Sequence, residues 1–275
     1  MRIIHLSDLH FGHHDEDLAA GLAADIASQH PDLVVVSGDF TQIGSRGEFE
    51  AARAFLDTLE APVFAVPGNH DIPERELFVR FFDPYRYYRQ FIAEELEPFL
   101  EIGGVALAGL RTSRRMRAEL NWSHGSISRS QLTRLGQRFA AAAPDAVRVV
   151  VAHHPLLQPQ AVMETPMRLV RRADLALKTF AEAGVRLVLS GHFHLSYVRR
   201  HEHLGEIGEG DLSGPREAAA APVLVAQASS TISTRLRGDP NAYNLIDIDS
   251  DTITITVREW QEGGWVTREK ATEPA

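Results

Sequence analysis

The chain has 275 residues, contains no cysteine and carries a formal net charge of −9 at pH 7. The absence of cysteine excludes disulfides, thiolate nucleophiles and thiolate metal sites, and the acidic balance argues against a stable nucleic-acid partner, which would require a basic face. A chain of this length buries a large core, and we interpret residues 1–275 as a single domain rather than two small ones.

The first quarter of the chain alternates strand and helix. The predicted elements are a strand at 2–7, a helix at 15–30, a strand at 33–37, a helix at about 48–60 and a strand at 63–66. The helical assignments follow from apolar residues that recur on one face, and Pro31 ends the first helix. A β-α-β-α-β order predicts a parallel sheet with right-handed crossovers.

Residues 73–100 interrupt this alternation of strand and helix and are rich in aromatic side chains. Its composition predicts helix with a break at Asp83-Pro84, because proline restricts the residue before it. The simpler interpretation is a helical hairpin packed on the edge of the sheet. The alternative is a cap-like segment or dimer surface over a functional site, which leaves a homodimer open.

The remaining elements are predicted from the same signals. A helix at 128–142 has Ser128 as its N-cap and Gln131 three residues later, a capping-box pattern. The other assignments are strands at 104–111, 147–152 and 186–190, a helix at 168–183, loops at 112–127, 155–167 and 202–221, and antiparallel strands at 223–229, 243–248, 252–260 and 265–268.

Polar side chains that bind metals or move protons follow five of the predicted apolar strands. In open α/β sheets the carboxyl ends of the strands are where ligands bind. Spacing of two residues in an extended chain also places two donors on the same side. The seven candidate metal ligands are Asp8, His10, Asp39, Asn69, His153, His192 and His194.

This donor set contains oxygen and imidazole ligands, which suit Mn, Fe, Zn, Ni or Co better than calcium alone. A single Asp or His at a strand end is ordinarily a turn or cap residue, so the prediction depends on the recurrence. Seven donors exceed the needs of one tetrahedral ion but suit two ions if one carboxylate bridges them. Two such ions form the usual clamp for in-line displacement at phosphorus.

The ordered motifs resemble those of the calcineurin-like metallophosphoesterases. The five blocks are Asp8-Leu9-His10, Gly38-Asp39, Gly68-Asn69-His70-Asp71, His153-His154-Pro155 and Gly191-His192-Phe193-His194. The resemblance implies an α/β/β/α four-layer sandwich of two mixed β-sheets flanked by helices. It also implies two divalent or mixed-valence ions.

The resemblance further assigns a role to each site residue. One ion would be held by Asp8, His10 and His194, the other by Asn69, His153 and His192, with Asp39 bridging. His70 would assist the leaving group as an acid, and Asp71 would orient the His70 ring. His154 would pack beside the site.

The branch most similar to this sequence is that of the class III cyclic-nucleotide phosphodiesterases. The segment Gly38 to Gly44 lacks the arginine of the phosphoprotein phosphatase motif, and the chain lacks the length and DNA-binding extension of an Mre11-like nuclease. We predict hydrolysis of a small phosphodiester, a cyclic nucleotide or a glycerophosphodiester, by a metal-bridging hydroxide. The alternatives are a pyrophosphate hydrolase of a nucleotide-linked lipid, whose acyl chain residues 78–99 would hold, and a noncatalytic scaffold of the same fold.

The sequence predicts neither a membrane span nor an exported protein. No apolar run approaches the roughly 20 residues that cross a bilayer, and the first residues begin a strand rather than a signal peptide. We therefore predict a cytoplasmic protein and leave peripheral membrane contact open.

Overall fold

The computed structural model describes residues 1–114, 123–160, 167–202 and 222–274. Within these ranges the elements are β1 (Arg2–Leu6), α1 (Glu16–Gln29), β2 (Leu33–Val36), α2 (Arg46–Leu56), β3 (Val63–Ala65), α3 (Leu77–Phe82), α4 (Arg86–Phe91), β4 (Phe99–Ile102), β5 (Val105–Leu110), α5 (Arg129–Ala141), β6 (Val147–Ala152), α6 (Ala173–Glu182), β7 (Val185–Ser190), β8 (Tyr197–His201), β9 (Val223–Gln227), β10 (Ala242–Ile248), β11 (Thr252–Gln261) and β12 (Gly264–Pro274). The predicted loop at 202–221 lies outside the described residues except for residue 202, as do 115–122 and 161–166 of the other two predicted loops.

The strands form two mixed six-stranded sheets. The first has the order β12-β11-β10-β1-β2-β3, in which β1, β2 and β3 are parallel and β10 to β12 are antiparallel. The second has the order β4-β5-β6-β7-β9-β8, with four parallel central strands and an antiparallel strand at each edge. The predicted parallel arrangement of the first three strands is confirmed.

Three apolar cores separate four layers. Successive side chains of a strand point to opposite faces of its sheet, and in β1 Ile4 packs with helix residues such as Leu22, whereas Ile3 joins the core between the sheets. A third core lies between the second sheet and helices α5 and α6. Because the central strands are buried on both faces, they appear in the sequence as continuous apolar runs. The predicted four-layer sandwich is confirmed.

The capping box predicted at the start of α5 is also confirmed. The Ser128 hydroxyl accepts a hydrogen bond from the Gln131 backbone N–H at 3.2 Å, and the Gln131 side chain accepts one from the Ser128 N–H at 2.8 Å. These bonds satisfy backbone donors that a helix leaves without partners in its first turn.

Two element assignments need correction. The helix predicted at 168–183 begins only at Ala173, because the backbone N–H groups of Val170 and Arg171 donate to Pro155 and Gly125 instead of entering the helix. The segment predicted as helix over 73–100 forms two six-residue helices and ends in strand β4, which pairs with β5. Strand β8 was not predicted. The late start of α6 and strand β8 depend on contacts distant in sequence, whereas β4 pairs with its neighbour β5 in a hairpin about Gly103-Gly104.

The aromatic segment is divided between the core and the surface. Tyr85 and Tyr88 are buried against the helical face of the first sheet. In contrast, Phe78 and Phe82 on α3 are 74% and 73% exposed, and their rings lie 4.6 Å apart. Among the described residues, no helix is sufficiently long and apolar to traverse a bilayer.

Candidate metal centre

All seven predicted ligands meet where the carboxyl ends of strands from both sheets converge. Five of them have a left-handed backbone that is uncommon for residues other than glycine. These are Asp8, His10, Asp39, His192 and His194, with φ between 49° and 75°. The turns at these residues bring polar side chains from separate loops close together.

The first group of donors contains Asp8, His10 and His194. The distance from Asp8 Oδ1 is 3.7 Å to His10 Nε2 and 3.3 Å to His194 Nε2, and the two ring nitrogens are 3.4 Å apart. All three residues are buried. These atoms are close enough to share a single ion.

The second group surrounds His153. Its Nε2 lies 3.2 Å from Asn69 Oδ1, 3.2 Å from His192 Nδ1 and 3.2 Å from Asp39 Oδ2. The same Asp39 oxygen is 3.9 Å from His10 Nε2. Asp39 therefore lies between the two groups, in the position that the resemblance assigns to a bridging ligand.

The hydrogen bonds around these donors fit metal binding. Asp8 Oδ2 accepts bonds from the Ser7 hydroxyl at 2.6 Å and the His192 backbone N–H at 2.8 Å. Asp8 Oδ1, which faces the histidines, is buried with no hydrogen-bond donor among the described residues. A buried carboxylate oxygen without a partner is costly unless a cation satisfies it.

Three of the imidazoles have backbone partners at Nδ1 that suit metal binding through Nε2. The Nδ1 atoms of His10, His153 and His194 contact the backbone carbonyls of Thr41 at 3.2 Å, Ser37 at 2.8 Å and Arg235 at 3.0 Å. In the neutral ring, the form that binds a metal, donation of the Nδ1 proton to a carbonyl leaves the Nε2 lone pair directed inward. Ligating histidines in metalloproteins are anchored in the same way.

The electrostatics of the metal-free site reflect its crowding. Burial opposes the charged carboxylates of Asp8 and Asp39, but the adjacent histidines hold the pKa of each well below its usual value. Burial also opposes protonation of His153, yet Asp39 raises the pKa of that ring to about 9. Burial and the charge of His153 lower the pKa of His192 to about 3. The two carboxylates thus present negative charge to any cation that enters.

His70 lies beside the first group, with its ring centroid 4.9 Å from that of His10. The ring is half-buried, and its Nδ1 lies 2.6 Å from the backbone carbonyl of Gln42. Its backbone N–H donates to Asp39 Oδ1 at 2.8 Å. Gln42 is therefore the residue that orients the His70 ring.

The predicted role of Asp71 as the partner of the His70 ring is wrong. Its buried carboxylate accepts backbone N–H bonds from Gly68 at 2.8 Å, Asp39 at 3.0 Å and Thr41 at 3.1 Å. Burial and the charge of Asp39 raise the pKa of Asp71 to about 7. Asp71 ties the loops that carry Asp39 and His70 together, because its side chain turns toward backbone donors that would otherwise be unsatisfied.

His154 packs beside the site, as expected. Its Nδ1 lies 2.7 Å from the Thr112 hydroxyl and its Nε2 lies 2.8 Å from the Ser123 carbonyl. The ring is 4.6 Å from that of His192. Its nitrogens contact Thr112 and Ser123, whereas His153 Nε2 faces the other donors, so His154 is a poorer candidate ligand than His153.

A functional segment that the sequence analysis missed is the strap, defined here as residues 229–235 after β9. The hydroxyl of Ser230 donates to the Asp8 carbonyl at 2.8 Å, and that of Ser229 donates to the His194 carbonyl at 3.2 Å. The Thr231 N–H donates to the Ser7 carbonyl at 3.0 Å. The signal in the sequence was a run of five hydroxyl residues in six, Ser229 to Thr234, directly after an apolar strand.

We expect Gly68→Ala to disrupt the site and Gly136→Ala to leave it intact. A Cβ at residue 68 would lie 2.0 Å from Asp39 Oδ1 and 2.4 Å from the Asp39 backbone nitrogen, so the turn carrying Asp39 would have to move. Residue 136 lies in α5 with open space around its Cβ position, where alanine stabilises a helix by roughly 0.5–1 kcal/mol. Thermal denaturation and bound-metal analysis check both; full metal content in Gly68→Ala would contradict the steric argument.

The two-sheet fold and the ordered, converging motifs place the chain in a phosphoesterase family. The profile of the calcineurin-like phosphoesterases matches residues 1–196, and the chain belongs to that family. It is similar to a probable cyclic nucleotide phosphodiesterase of Synechococcus sp., at 29% identity over 66% of this chain and 65% of the relative. It also resembles the glycerophosphodiester phosphodiesterase GpdQ of Enterobacter lignolyticus, at 36% identity over 30% of this chain and 34% of the relative. The matches thus span from about a third to just under two thirds of these relatives' lengths.

Among solved structures, a dimetal phosphatase from Danio rerio has the same fold. The superposition gives a TM-score of 0.67 at 13% sequence identity and covers 97% of this chain and 98% of that one.

Proposed function

We propose that the protein is a two-metal phosphodiesterase that hydrolyses a small phosphodiester. The observation that carries this proposal is the pair of donor groups that share Asp39, with His70 beside them. The relatives' names favour two substrate types, a cyclic nucleotide and a glycerophosphodiester.

In this proposal each donor group would hold one ion. Asp8, His10 and His194 would bind the first, and Asn69, His153 and His192 the second, with Asp39 shared between them. When bound, two divalent ions lower the pKa of a water molecule and neutralise charge on the phosphoryl oxygens. The donor set suits Mn, Fe, Zn, Ni or Co, and supply selects among them as much as affinity does.

His70 acts on the leaving group. Since its Nδ1–H is engaged by the Gln42 carbonyl, Nε2 is left to face the departing oxygen. The ring gives that oxygen a proton as the imidazolium, protonated on both nitrogens, and is left as the neutral Nδ1–H tautomer. His70 is half-buried, so it remains partly accessible, as a group that contacts substrate must be. Asp71 supports this step indirectly, because it holds the backbone of Asp39 and Gly68 in place.

A pyrophosphate hydrolase of a nucleotide-linked lipid is the second candidate. The exposed apolar side chains of α3, which follows the Asn69-His70-Asp71 turn, favour it, since they offer a surface for an acyl chain. The scaffold alternative is disfavoured because every predicted ligand and His70 are present and converge.

The test compares hydrolysis of bis-4-nitrophenyl phosphate with that of 4-nitrophenyl phosphate. The protein is first stripped with a chelator, assayed, and assayed again after Mn²⁺ is restored. We expect turnover only with metal and a preference for the diester. Preference for the monoester would mean that the protein is a phosphatase and not a phosphodiesterase. Metal-independent turnover would reject the two-metal proposal. If the metal-loaded protein hydrolyses neither ester, a lipid-linked nucleoside diphosphate is tested with and without metal in the same way. Metal-dependent hydrolysis of that substrate would support the second candidate.

A further inference from the structure

Arg235, at the end of the strap, lies next to the metal centre but outside the region that the family profile matches. Its backbone carbonyl is 3.0 Å from His194 Nδ1. Its exposed guanidinium donates from Nη1 to the Gln42 side-chain carbonyl at 3.2 Å. The residue therefore touches a candidate metal ligand through its backbone and extends its charge to another loop.

Gln42 connects this guanidinium to the proposed proton donor. Its backbone carbonyl is the group 2.6 Å from His70 Nδ1. His10 contacts both histidines of this arrangement. Its Nε2 is 3.4 Å from His194 Nε2, and its ring lies 4.9 Å from that of His70. The Arg235–Gln42 pair thus forms the rim of the site on the side of His70.

The charge of Arg235 is not neutralised by the part of the chain that the structure describes. Within those residues no carboxylate forms an ion pair with it, and Gln42 is a neutral partner. The acid of the same loop, Asp239, is engaged by the Ser196 N–H at 2.8 Å and lies 3.7 Å from Arg268. By contrast, exposed Arg46 pairs with Glu50 at 2.8 Å.

A guanidinium has five N–H donors in a planar fork that matches a phosphate or carboxylate. The neutral side chain of Gln42 accepts a hydrogen bond from one of these donors in Arg235 and holds the guanidinium in position. We propose that Arg235 and Gln42 form a leaving-group subsite, which selects substrates whose departing group carries a phosphate or carboxylate near the scissile oxygen. This inference rests on the proposed function, because His70 defines the leaving-group side.

The experiment uses two matched diesters, methyl 4-nitrophenyl phosphate and its 3-carboxy-4-nitrophenyl counterpart. The readout is the ratio of kcat/KM for the charged substrate to that for the neutral one. We expect Arg235→Ala to lower this ratio about 10-fold, since a hydrogen bond between charged partners is stronger than a neutral one but exposure weakens it. Arg235→Lys retains part of the preference, and Arg46→Ala is the matched control without effect.

A merely structural role would move both substrates together and leave the ratio unchanged, which would overturn the inference. Because alanine keeps the backbone carbonyl of residue 235, metal content should stay the same. Loss of metal in Arg235→Ala would show that the residue acts through His194 instead. Raised salt should reduce the wild-type preference, because an exposed charge is screened.

A binding measurement separates failure of this inference from failure of the proposed function. If the wild-type protein hydrolyses neither diester, the diesterase proposal fails, and calorimetry with 5-hydroxy-2-nitrobenzoate tests the subsite alone, against 4-nitrophenol as the neutral reference. Weaker binding of the carboxylate to Arg235→Ala supports the subsite. Equal binding by both proteins overturns it.

Discussion

Substitution of Asp39 by asparagine is expected to cost the protein at least one metal ion and most of its activity. Asp39 Oδ2 lies 3.2 Å from His153 Nε2 and 3.9 Å from His10 Nε2, so its charge serves both donor groups. Even residues one step removed from a metal ligand change affinity or activity by about 10–100-fold, and we expect a larger loss here. Bound metal per chain and kcat/KM on the preferred diester measure the effect.

The asparagine is isosteric and keeps an oxygen for the His70 backbone N–H, which Asp39 Oδ1 accepts at 2.8 Å. The fold should therefore survive, as circular dichroism and the thermal midpoint would show. Asp32→Asn is a suitable control, because Asp32 lies outside the metal centre. Two bound ions and normal turnover in Asp39→Asn would reject the bridging assignment.

Substitution of His70 by alanine is expected to lower kcat by about 10²–10⁴-fold, the usual contribution of a general acid, with metal content nearly unchanged. The loss should depend on the leaving group. An alkyl alcohol departs poorly as an anion and needs the proton from His70. A 4-nitrophenolate departs readily without it. Kinetics with a bis-alkyl diester and a 4-nitrophenyl diester, on the same metal-loaded variant, compare the two cases.

His13→Ala is the control for a histidine near the first motif, since its exposed side chain lies on the loop after Phe11. Added imidazole should restore part of the activity of His70→Ala and none of that lost in Asp39→Asn. An equal loss for both leaving groups would mean that His70 binds the phosphoryl group without donating a proton.

The ordered motifs predicted the family by resemblance, and the resemblance implied the sandwich. The convergence of the ligands could be predicted from the residues themselves because the relevant physics is local. Each ligand follows an apolar strand, and the carboxyl ends of parallel strands meet at one edge of a sheet. The order of β1, α1, β2, α2 and β3 fixed which strands are neighbours. Those predictions required no knowledge of contacts between distant parts of the chain.

The features that were missed depend on contacts far apart in sequence. The Ser230 hydroxyl donates to the carbonyl of Asp8, which lies 222 positions earlier in the chain, and no local sequence pattern predicts that contact. The resemblance assigned Asp71 to the His70 ring, but its carboxylate turns toward the backbone of Asp39 and Thr41. The single domain, the cytoplasmic location and the homodimer stay predictions, since no contact described above bears on them.

The left-handed backbone at five of the candidate ligands has a consequence for how this protein can evolve or be engineered. Strained conformations of this kind cost roughly 1–3 kcal/mol each, with less for aspartate, whose short side chain can hydrogen-bond locally. A domain has only about 5–15 kcal/mol of net stability. The three histidines concerned, His10, His192 and His194, therefore oppose stability at the positions where binding needs them. Selection for thermal stability alone would favour glycine or asparagine at these positions. Substitutions that raise the thermal stability of this protein should therefore be sought away from the metal centre.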